Sequence, residues 1–552
     1  ANFAACHNAA CTANDDMVGD LEEGGSFLLN TSWSEAELGR RLPAGVKRSL
    51  HAKKAKFYLI DATAIAAELG MGRHTNSVLQ SAFFRLADII PFEDALAHMK
   101  KAIDKTYGAK GDAVLRMNHA AVERGADGLR RVEIPAAWAT ATDEVAAAEI
   151  EALPYYIEKI QNPINALKGD DLPVSVFAHA PDGTVPLGSS KFEKRGTADN
   201  VPCWLSDKCI QCNQCAYVCP HAAIRPFLLD EAETAAAPEG FTVPEARGKG
   251  FEPYHYRIQV TPLDCVGCGA CATICPAKAI ELKPLESQMH EQDNWTHALT
   301  LSQKANPMDK FSVKGSQFEQ PLLEFSGACA GCGETPYMKL ITQLFGDRMY
   351  LANATGCTQA WGAASPNVPY TKNCEGRGPA FSNSLFENNA EFSLGMVLAV
   401  RQQRERLAAH VGSLMAEIAS PATQAACDAW LKGYDSSEQS RALSDALLAA
   451  INGETGASAE YIRQNAEHLT KKSMWMYGGD GWAYDIGYGG LDHVLATGED
   501  VNILVVDTEV YSNTGGQSSK ATPVGAVAQF AASGKKMKKK DLGLLAMAYG
   551  HV

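Results

Sequence analysis

The sequence has no apolar run that approaches the roughly 18 residues of a membrane-spanning helix, so we expect no membrane association. Residues 1–6 show no basic stretch followed by an apolar core, and no export signal is visible. We therefore expect a cytoplasmic protein. Basic residues are outnumbered by acidic ones, and the resulting net charge of −14 argues against nucleic acid as a partner.

At 552 residues the chain is too long for one hydrophobic core, and we expect an α/β protein of several domains. Residues 1–147 alternate strand-like runs, such as 56–61, with helical patterns, such as 78–86, and predict a partial α/β domain. Residues 148–188 carry several prolines and one helical pattern around 145–160, which indicates a small connector domain.

The second half of the chain divides into two further predicted domains. Residues 189–304 are rich in loops and contain two dense cysteine runs, whereas strand and helix signals alternate again over 305–552. Residues 474–477 and 501–507 have the apolar composition of buried parallel strands, and 396–450 predicts long helices. Residue 1 is not Met and the last residues resemble an interrupted element, so we expect a piece of a longer or split polypeptide.

Sixteen cysteines in a large chain of this kind indicate metal or redox chemistry rather than disulfides. Eight of them form two runs of the pattern C-x2-C-x2-C-x3-C-P. In ferredoxins with two clusters, the fourth cysteine of each run binds the cluster of the other run. The predicted ligand sets of two 4Fe–4S clusters are Cys209, Cys212, Cys215 and Cys275 for one, and Cys265, Cys268, Cys271 and Cys219 for the other.

The alternative for these runs is zinc, but two identical four-cysteine runs are a poor zinc pattern. A third group consists of Cys329, Cys332 and Cys357, one thiolate short of a complete cluster. Cys374 and Cys427 are candidates for the fourth position within the chain, and zinc or redox thiols compete with a cluster here.

A Gly-Asp-Gly sequence after a predicted strand indicates a diphosphate site. Asp480, between Gly479 and Gly481, offers a carboxylate to Mg²⁺, which commonly joins a carboxylate to a diphosphate. The Thr508 hydroxyl and the Val510 carbonyl are the further candidate ligands. Gly-Asp-Gly is also a common turn, and only the second segment, about thirty residues later, gives the pattern weight.

These motifs together resemble the pyruvate:ferredoxin (flavodoxin) oxidoreductase family over essentially the whole chain. The resemblance rests on the segment 507–523, on the order of the cysteine groups, and on the runs 1–8 and 42–48. It implies thiamine diphosphate with Mg²⁺, and three 4Fe–4S clusters, the third completed by a cysteine beyond this chain rather than by Cys374 or Cys427. The implied cofactor contacts are Glu334, Cys357, Gly479, Asp480, Gly481, Trp482, Thr508, Glu509, Val510, Tyr511, Ser512 and Asn513.

The resemblance further implies that Asn513 faces the substrate and that Asn76 and Asn118 contact coenzyme A. For the last two, ordinary helix capping or surface positions are an equal alternative. The implied reaction is the oxidative decarboxylation of pyruvate with coenzyme A, the electrons passing to ferredoxin or flavodoxin. The family's N-terminal half, which completes the site, is absent here, and the full enzyme is expected to be a homodimer.

Three alternatives stay open at this point. The enzyme could act on another 2-oxoacid, such as 2-oxoglutarate or an aryl pyruvate, or the chain could be an electron-transfer subunit only. Five lysines between 535 and 540 form either a solvated loop or a docking site for an acidic protein. Cys6, Cys11 and Cys203 show no evident partners and are interpreted as buried structural thiols.

Overall fold

A computed structural model describes residues 1–72, 74–143, 153–363, 366–417 and 420–552. The chain forms two compact units. The first unit consists of Ala1–Asp182 and Arg195–Thr197, and the second unit of Gly183–Lys194 and Ala198–Val552. Within the described ranges, no helix has both the length and the apolar character needed to cross a membrane. The finer division into four domains stays a prediction.

The first unit is built on a four-stranded sheet in the order β1-β2-β3-β4. Strands β1 (Phe3–Cys6), β2 (Ser26–Asn30) and β3 (Lys56–Ile60) are parallel, and β4 (Arg130–Val132) pairs with β3 in the antiparallel sense. The first four residues of β2 are all buried, as expected of a central strand covered on both faces. The strand predicted at 56–61 is thereby confirmed.

Helices cover this sheet because its central strands carry apolar side chains on both faces. The helix predicted at 78–86 is confirmed within α5. The helices of the sheet domain are α1 (Cys11–Asn14), α2 (Glu35–Arg41), α3 (Ala44–Ala52), α4 (Ala62–Glu68), α5 (Asn76–Ala87), α6 (Phe92–Tyr107) and α7 (Asp112–Asp127).

The remainder of the first unit has little regular structure. Part of the helix predicted around 145–160 lies outside the described residues, which resume at 153. The described part contains one turn of π-helix, Ile157–Gln161, which continues into α8 (Asn162–Asn165). Prolines and short 3₁₀ turns follow, as the sequence composition of a connector predicts.

The cysteine-rich part of the second unit is a duplication visible in the backbone. Gln211 and Asn213 have φ of 58° and 60°, and the equivalent Gly267 and Gly269 have 64° and 79°. The cysteine loops of both runs therefore fold alike, although only one run carries glycine at these left-handed positions. The elements are β5 (Asn200–Trp204), α9 (Gln214–Tyr217), β6 (Ile224–Leu229), α10 (Glu231–Ala235), β7 (His255–Val260), α11 (Ala270–Ile274), β8 (Ile280–Pro284) and α12 (His290–Ala298), with antiparallel pairs β5/β8 and β6/β7.

The rest of the second unit is organised by a four-stranded sheet in the order β10-β9-β11-β12, in which every pair is parallel. The strands predicted at 474–477 and 501–507 are the neighbours β11 and β12, and both are confirmed. The strands and the short hairpin that follows them are β9 (Met349–Ala354), β10 (Ala380–Ser384), β11 (Ser473–Gly479), β12 (Asn502–Val506), β13 (Val510–Tyr511) and β14 (Gln517–Ser518).

The helices of this part include a long bundle that matches the prediction for 396–450. Its apolar core contains Leu407, Val411, Cys427, Trp430 and Leu447, all at most 2% exposed. The α/β fold class is therefore confirmed. The helices are α13 (Val313–Ser316), α14 (Thr335–Phe345), α15 (Cys357–Gly362), α16 (Asn389–Glu417), α17 (Pro421–Lys432), α18 (Ser440–Ala450), α19 (Ala457–Gln464), α20 (Tyr488–Thr497) and α21 (Leu542–Met547).

The strand order of the parallel sheet creates a crevice. The chain runs from β9 outward to β10 on one side, and then returns to place β11 on the other side of β9. At such a reversal the connections after neighbouring strands diverge, and ligands bind outside the carboxyl ends of those strands. The fold thus predicts a binding site formed by the segments that follow β9 and β11.

Candidate active site and cysteine clusters

A pocket with about 650 Å³ of empty space, open to solvent on one side, lies at this crevice. The segments after β9, β11 and β12 all contribute to its wall. The structure therefore brings together residues that are far apart in sequence. The predicted residues that line the pocket are Glu334, Cys357, Gly479, Asp480, Gly481, Trp482, Thr508, Val510, Tyr511, Ser512 and Asn513.

The hydroxyl group of Thr508 lies within hydrogen-bond distance of three other oxygen atoms. Thr508 Oγ1 lies 3.1 Å from Asp480 Oδ1 and 3.0 Å from the Val510 carbonyl oxygen. Ser512 Oγ donates to the same hydroxyl at 2.7 Å. The carboxylate, hydroxyl and carbonyl that the sequence suggested as Mg²⁺ ligands are thus mutual neighbours.

The unpaired oxygen of Asp480 shows that these residues fit a cation. Asp480 is 1% exposed, and no described residue hydrogen-bonds to its buried Oδ2. Burial raises the pKa of its carboxyl group. Because an unpaired buried carboxylate oxygen is costly, a hard cation that prefers oxygen ligands would relieve this environment.

Gly481 is required by the close approach of an aromatic ring. A Cβ at this position would lie 2.3 Å from the Tyr511 ring, far inside van der Waals contact. Tyr511 is itself held by a hydrogen bond from its hydroxyl to Asp485 Oδ2 at 3.1 Å. The glycine therefore allows the segments after β11 and β12 to close against each other beside Asp480.

Glu334 forms a second polar wall of the pocket. Trp361 Nε1 donates a hydrogen bond of 2.8 Å to Glu334 Oε2, and the carboxylate is 8% exposed. Burial and the nearby charge of Asp480 raise the pKa of Glu334. A buried carboxyl group with a raised pKa holds a proton more readily and is suited to donate or accept a hydrogen bond with a bound ligand.

Cys357 connects this pocket to the third cysteine group. Its thiol lines the pocket at the start of α15. Burial and the charges of Glu334, Cys332 and Cys329 together raise its pKa to about 11, so these groups lie within electrostatic reach of Cys357. The predicted ligands of the third cluster therefore lie beside the candidate thiamine site.

The two alternative fourth ligands lie elsewhere. Cys427 is fully buried in the core of the helical bundle, on α17. Cys374 is exposed, and its Sγ lies 2.8 Å from Gln303 Oε1. These positions agree with the expectation that neither cysteine completes the third group.

Each predicted ligand set of the duplicated region surrounds its own cavity. One cavity, with about 320 Å³ of empty space, is lined by four cysteines together with Trp204 and Tyr256. The other, with about 390 Å³, is lined by four more together with His221. The first group is Cys209, Cys212, Cys215 and Cys275, and the second is Cys219, Cys265, Cys268 and Cys271.

The cysteine geometry suits clusters better than zinc. Across the described part of the chain, no three Cys, His, Asp or Glu side chains converge closely enough to hold one metal ion. Zinc requires four ligands within about 2.3 Å of one centre, whereas the four irons of a cluster give each thiolate its own metal. Burial raises the pKa of Cys265 to about 12, so cluster assembly must displace protons from these thiols.

Two pairs of variants and one control test the crossed assignment of ligands. We expect Cys275→Ser to disturb the same electron paramagnetic resonance signal as Cys209→Ser, although the two residues belong to different runs. Cys265→Ser and Cys219→Ser should instead disturb the other signal, with Cys427→Ser as the control that leaves both intact. If Cys275→Ser and Cys265→Ser affected one signal together, the ligands would not cross between runs.

The three cysteine groups are arranged in a series. His221 Nε2 lies 2.9 Å from the Ala328 carbonyl oxygen, directly before Cys329. A Cβ on Gly331 would lie 3.7 Å from the Cβ of Cys268. The third group therefore adjoins the set that contains Cys268. Within that set, Cys271 lies within electrostatic reach of Cys215, which belongs to the remaining set.

Other predicted contacts are not among the residues that line the pocket. Glu509 is not among its lining residues, because its backbone is left-handed (φ 65°) and its carboxylate lies 3.5 Å from Lys539 Nζ. Asn76 is an exposed residue in the first turn of α5. Asn118 is 7% exposed, accepts from Ser77 Oγ at 3.2 Å and donates to the Val114 carbonyl at 2.9 Å. Both coenzyme A contacts stay predictions, and the contacts of Asn118 are those of a helix-packing residue.

Part of the pocket wall was not predicted from the sequence. Thr355, Gly356 and Thr358 line the pocket because they follow β9, a strand that was not predicted. The Thr355-Gly356 turn immediately before Cys357 was the available signal. Phe386 also lines the pocket, and its position after β10 depends on the sheet order, which no local pattern reveals.

The lysine-rich segment contributes contacts beside the site. Lys539 Nζ lies 2.5 Å from Asp507 Oδ2, Lys535 Nζ donates to the Ser519 carbonyl at 2.5 Å, and Lys540 Nζ donates to the Tyr484 carbonyl at 3.1 Å. These three lysines stabilise the loops that follow β11 and β12. A docking role of the segment stays a prediction.

Comparison with protein families divides the chain into four matched segments. Residues 1–128 match pyruvate ferredoxin/flavodoxin oxidoreductase, and 142–198 match a domain of unknown function. Residues 208–279 match a 4Fe-4S dicluster domain, and 442–552 match the C-terminal TPP binding domain of thiamine pyrophosphate enzymes. The cysteine runs and the candidate pocket therefore lie in segments that are similar to cluster-binding and thiamine-binding domains.

Curated relatives align with the whole chain. It is 54% identical to the pyruvate:ferredoxin oxidoreductase of Moorella thermoacetica over 100% of this chain and 48% of that protein. It is 51% identical to the pyruvate-flavodoxin oxidoreductase of Enterobacter agglomerans, over 100% of this chain and 47% of the relative. The pyruvate dehydrogenase [NADP(+)] of Cryptosporidium parvum is 43% identical over 100% of this chain and 32% of its own length. The chain spans about half the length of the first two relatives and, as a segment of that length, belongs to the pyruvate:ferredoxin (flavodoxin) oxidoreductase family.

Proposed function

We propose that this chain is the thiamine- and cluster-binding part of an enzyme that converts pyruvate and coenzyme A to acetyl-CoA and CO₂. The electrons pass to ferredoxin or flavodoxin. The position of Cys357 carries the proposal, because this residue lines the candidate thiamine pocket and belongs to a cysteine group at the same time. A cluster bound through Cys357 would therefore adjoin the pocket in which the electron is released.

When bound, thiamine diphosphate supplies the carbon nucleophile and the electron storage that decarboxylation of a 2-oxoacid requires. The chain's own residues hold and orient it. Asp480, Thr508 and the Val510 carbonyl would bind Mg²⁺ and through it the diphosphate. The exposed side chain of Asn513 would hydrogen-bond the substrate, and the buried carboxyl of Glu334 would face the cofactor.

We propose three 4Fe–4S clusters in sequence. Cys329, Cys332 and Cys357 would hold the cluster nearest the pocket, with a fourth ligand beyond this chain. The contacts between His221 and Ala328, and between Gly331 and Cys268, support the set of Cys219, Cys265, Cys268 and Cys271 as the ligands of the second cluster. Cys209, Cys212, Cys215 and Cys275 would hold the third, and the three clusters would supply electron transfer from the pocket to the acceptor protein.

The remaining half of the enzyme would complete the pocket. In the segment that follows β14, Phe530, Val527, Met537 and Met547 are 91%, 74%, 74% and 67% exposed. Large apolar side chains that are exposed favour contact with another part of the protein. We propose that the missing half of the polypeptide, in a homodimer of the full enzyme, covers this surface.

The decisive experiment uses the full-length enzyme that contains this segment, prepared without oxygen. We expect bound thiamine diphosphate, about twelve iron atoms per polypeptide from three four-iron clusters, and coenzyme-A-dependent reduction of ferredoxin with pyruvate. Parallel assays use 2-oxoglutarate and an aryl pyruvate as substrates, and NADP⁺ as acceptor. Faster turnover of another 2-oxoacid would identify a sister enzyme. Bound iron without any 2-oxoacid-dependent reduction of the acceptor would indicate an electron-transfer subunit.

A further inference from the structure

Two cysteines of the first unit that the sequence left without partners are neighbours in the structure. Cys6 ends strand β1, and Cys11 begins helix α1. The carbonyl oxygen of Asn8 lies 3.0 Å from Cys6 Sγ and 3.1 Å from the Cys11 backbone nitrogen, so a tight turn folds one cysteine against the other. Their side chains pack in the same apolar cluster, and the two thiols lie within electrostatic reach of each other.

The two thiols differ in their surroundings. Cys6 is 1% exposed, whereas Cys11 is partly open to solvent. The neighbouring Cys6 thiol lowers the pKa of Cys11 to about 7, against the opposing effects of burial and of the Asp15 carboxylate. The neighbouring Cys11 thiol and burial together raise the pKa of Cys6 well above its ordinary range. One sulfur is therefore available as an accessible thiolate, and the other holds its proton.

We propose that Cys6 and Cys11 form an oxidant-sensitive thiol pair, in which Cys11 reacts with a peroxide and Cys6 closes a disulfide. An accessible thiolate beside a second thiol is the arrangement of reversible redox sensors. The turn at Asn8 supplies the proximity that a disulfide requires. Neither residue belongs to the cluster ligands or to the pocket of the proposed function, so this site is independent of both.

The chemistry is balanced with hydrogen peroxide as the oxidant. The Cys11 thiolate attacks one peroxide oxygen, an S–O bond forms, the O–O bond breaks, and the departing hydroxide takes a proton from solvent to become water. The Cys6 sulfur then attacks Cys11 sulfur, the S–O bond breaks, and the hydroxide leaves with the Cys6 proton as a second water. Two thiols lose two electrons and one peroxide is reduced to two water molecules.

Peptide mapping of the intact chain tests the disulfide directly. No Lys or Arg separates the two cysteines, so one tryptic peptide contains both. After one equivalent of hydrogen peroxide and blocking of free thiols, we expect this peptide to lose two hydrogens and to regain them with dithiothreitol. Cys11→Ser should leave Cys6 reduced, and Cys6→Ser should leave a sulfenic acid at Cys11 that dimedone captures. The proposal would be overturned if both cysteines stayed reduced while the exposed Cys374 was oxidised.

The pH dependence of alkylation provides a second measurement that does not depend on the clusters. We expect iodoacetamide to modify Cys11 with half-maximal rate near pH 7. In Cys6→Ala the neighbouring thiol is lost, and the midpoint should rise by at least about one pH unit toward the ordinary thiol value. The matched control Cys427→Ala, on helix α17 of the second unit, should leave the midpoint unchanged. An unchanged midpoint in Cys6→Ala would overturn the proposed coupling of the two thiols.

Discussion

Replacing Asp480 with alanine is expected to weaken the binding of Mg²⁺ and thiamine diphosphate by at least about 100-fold, and to abolish turnover of the full-length enzyme. The substitution removes the carboxylate whose Oδ1 contacts Thr508 and whose Oδ2 is buried without a partner among the described residues. The diphosphate would then lose the anionic ligand that anchors its cation. Titration calorimetry with thiamine diphosphate in saturating Mg²⁺ measures the loss.

The controls separate metal binding from folding. Asp480→Asn keeps the size of the side chain but removes its charge, and it should lose most of the affinity as well. Asp492→Asn changes a carboxylate on α20 that hydrogen-bonds Tyr488 and Tyr549 outside the pocket, and should bind normally. Because the cysteine groups are held by other segments, the electron paramagnetic resonance signals of the clusters should persist in all three variants. Unchanged thiamine diphosphate affinity in Asp480→Ala would refute the metal assignment.

Local patterns predicted the elements that carry strong signals. The apolar runs at 474–477 and 501–507 became the adjacent strands β11 and β12, because buried parallel strands are apolar on both faces. The cysteine spacing predicted two ligand sets that each surround a cavity. These features depend on neighbours in sequence or on one chemically restrictive residue type, and such information is local.

The sequence could not predict contacts that arise from the sheet order. Strand β9 ends in Asn353 and Ala354, and Tyr350 is its only aromatic or β-branched residue, so the local signal for a strand is weak. Its neighbours on both sides come from later in the chain, so Thr355 and Phe386 reach the pocket only after the sheet forms. Glu509 is not among the lining residues for a related reason, since its left-handed backbone turns the side chain toward Lys539.

A buried lysine near the cluster sites was also invisible in the sequence. Lys339 lies on α14 and is 2% exposed, and it donates to the carbonyl oxygens of Ala216, Tyr217 and Cys219. Three acceptors use all three donors of an ammonium group, and the side chain is positively charged at neutral pH although burial lowers its pKa to about 8. The charge lies within electrostatic reach of Cys219 and Cys215, which belong to different predicted clusters.

We expect Lys339→Met to lower the reduction potentials of the two clusters held by the cysteine runs, by on the order of 50 to 100 mV. Reduction adds negative charge to a cluster, and a buried cation nearby stabilises that charge in a medium of low dielectric. Methionine fills a similar volume without the charge. A redox titration followed by electron paramagnetic resonance measures both potentials, and electron delivery to ferredoxin should slow or stop while the pocket continues to bind thiamine diphosphate.

Two further variants distinguish this electrostatic role from a structural one. Lys339→Arg retains a positive charge and should keep potentials within about 30 mV of the parent, even where the larger group lowers thermal stability. Lys372→Met makes the same chemical change at an exposed lysine and should alter neither the reduction potentials nor the thermal stability. Because loss of the charge and loss of the carbonyl contacts occur together in Lys339→Met, the arginine variant is decisive. If both variants at 339 lowered the potentials equally, the effect would come from altered packing around α9 and not from the charge.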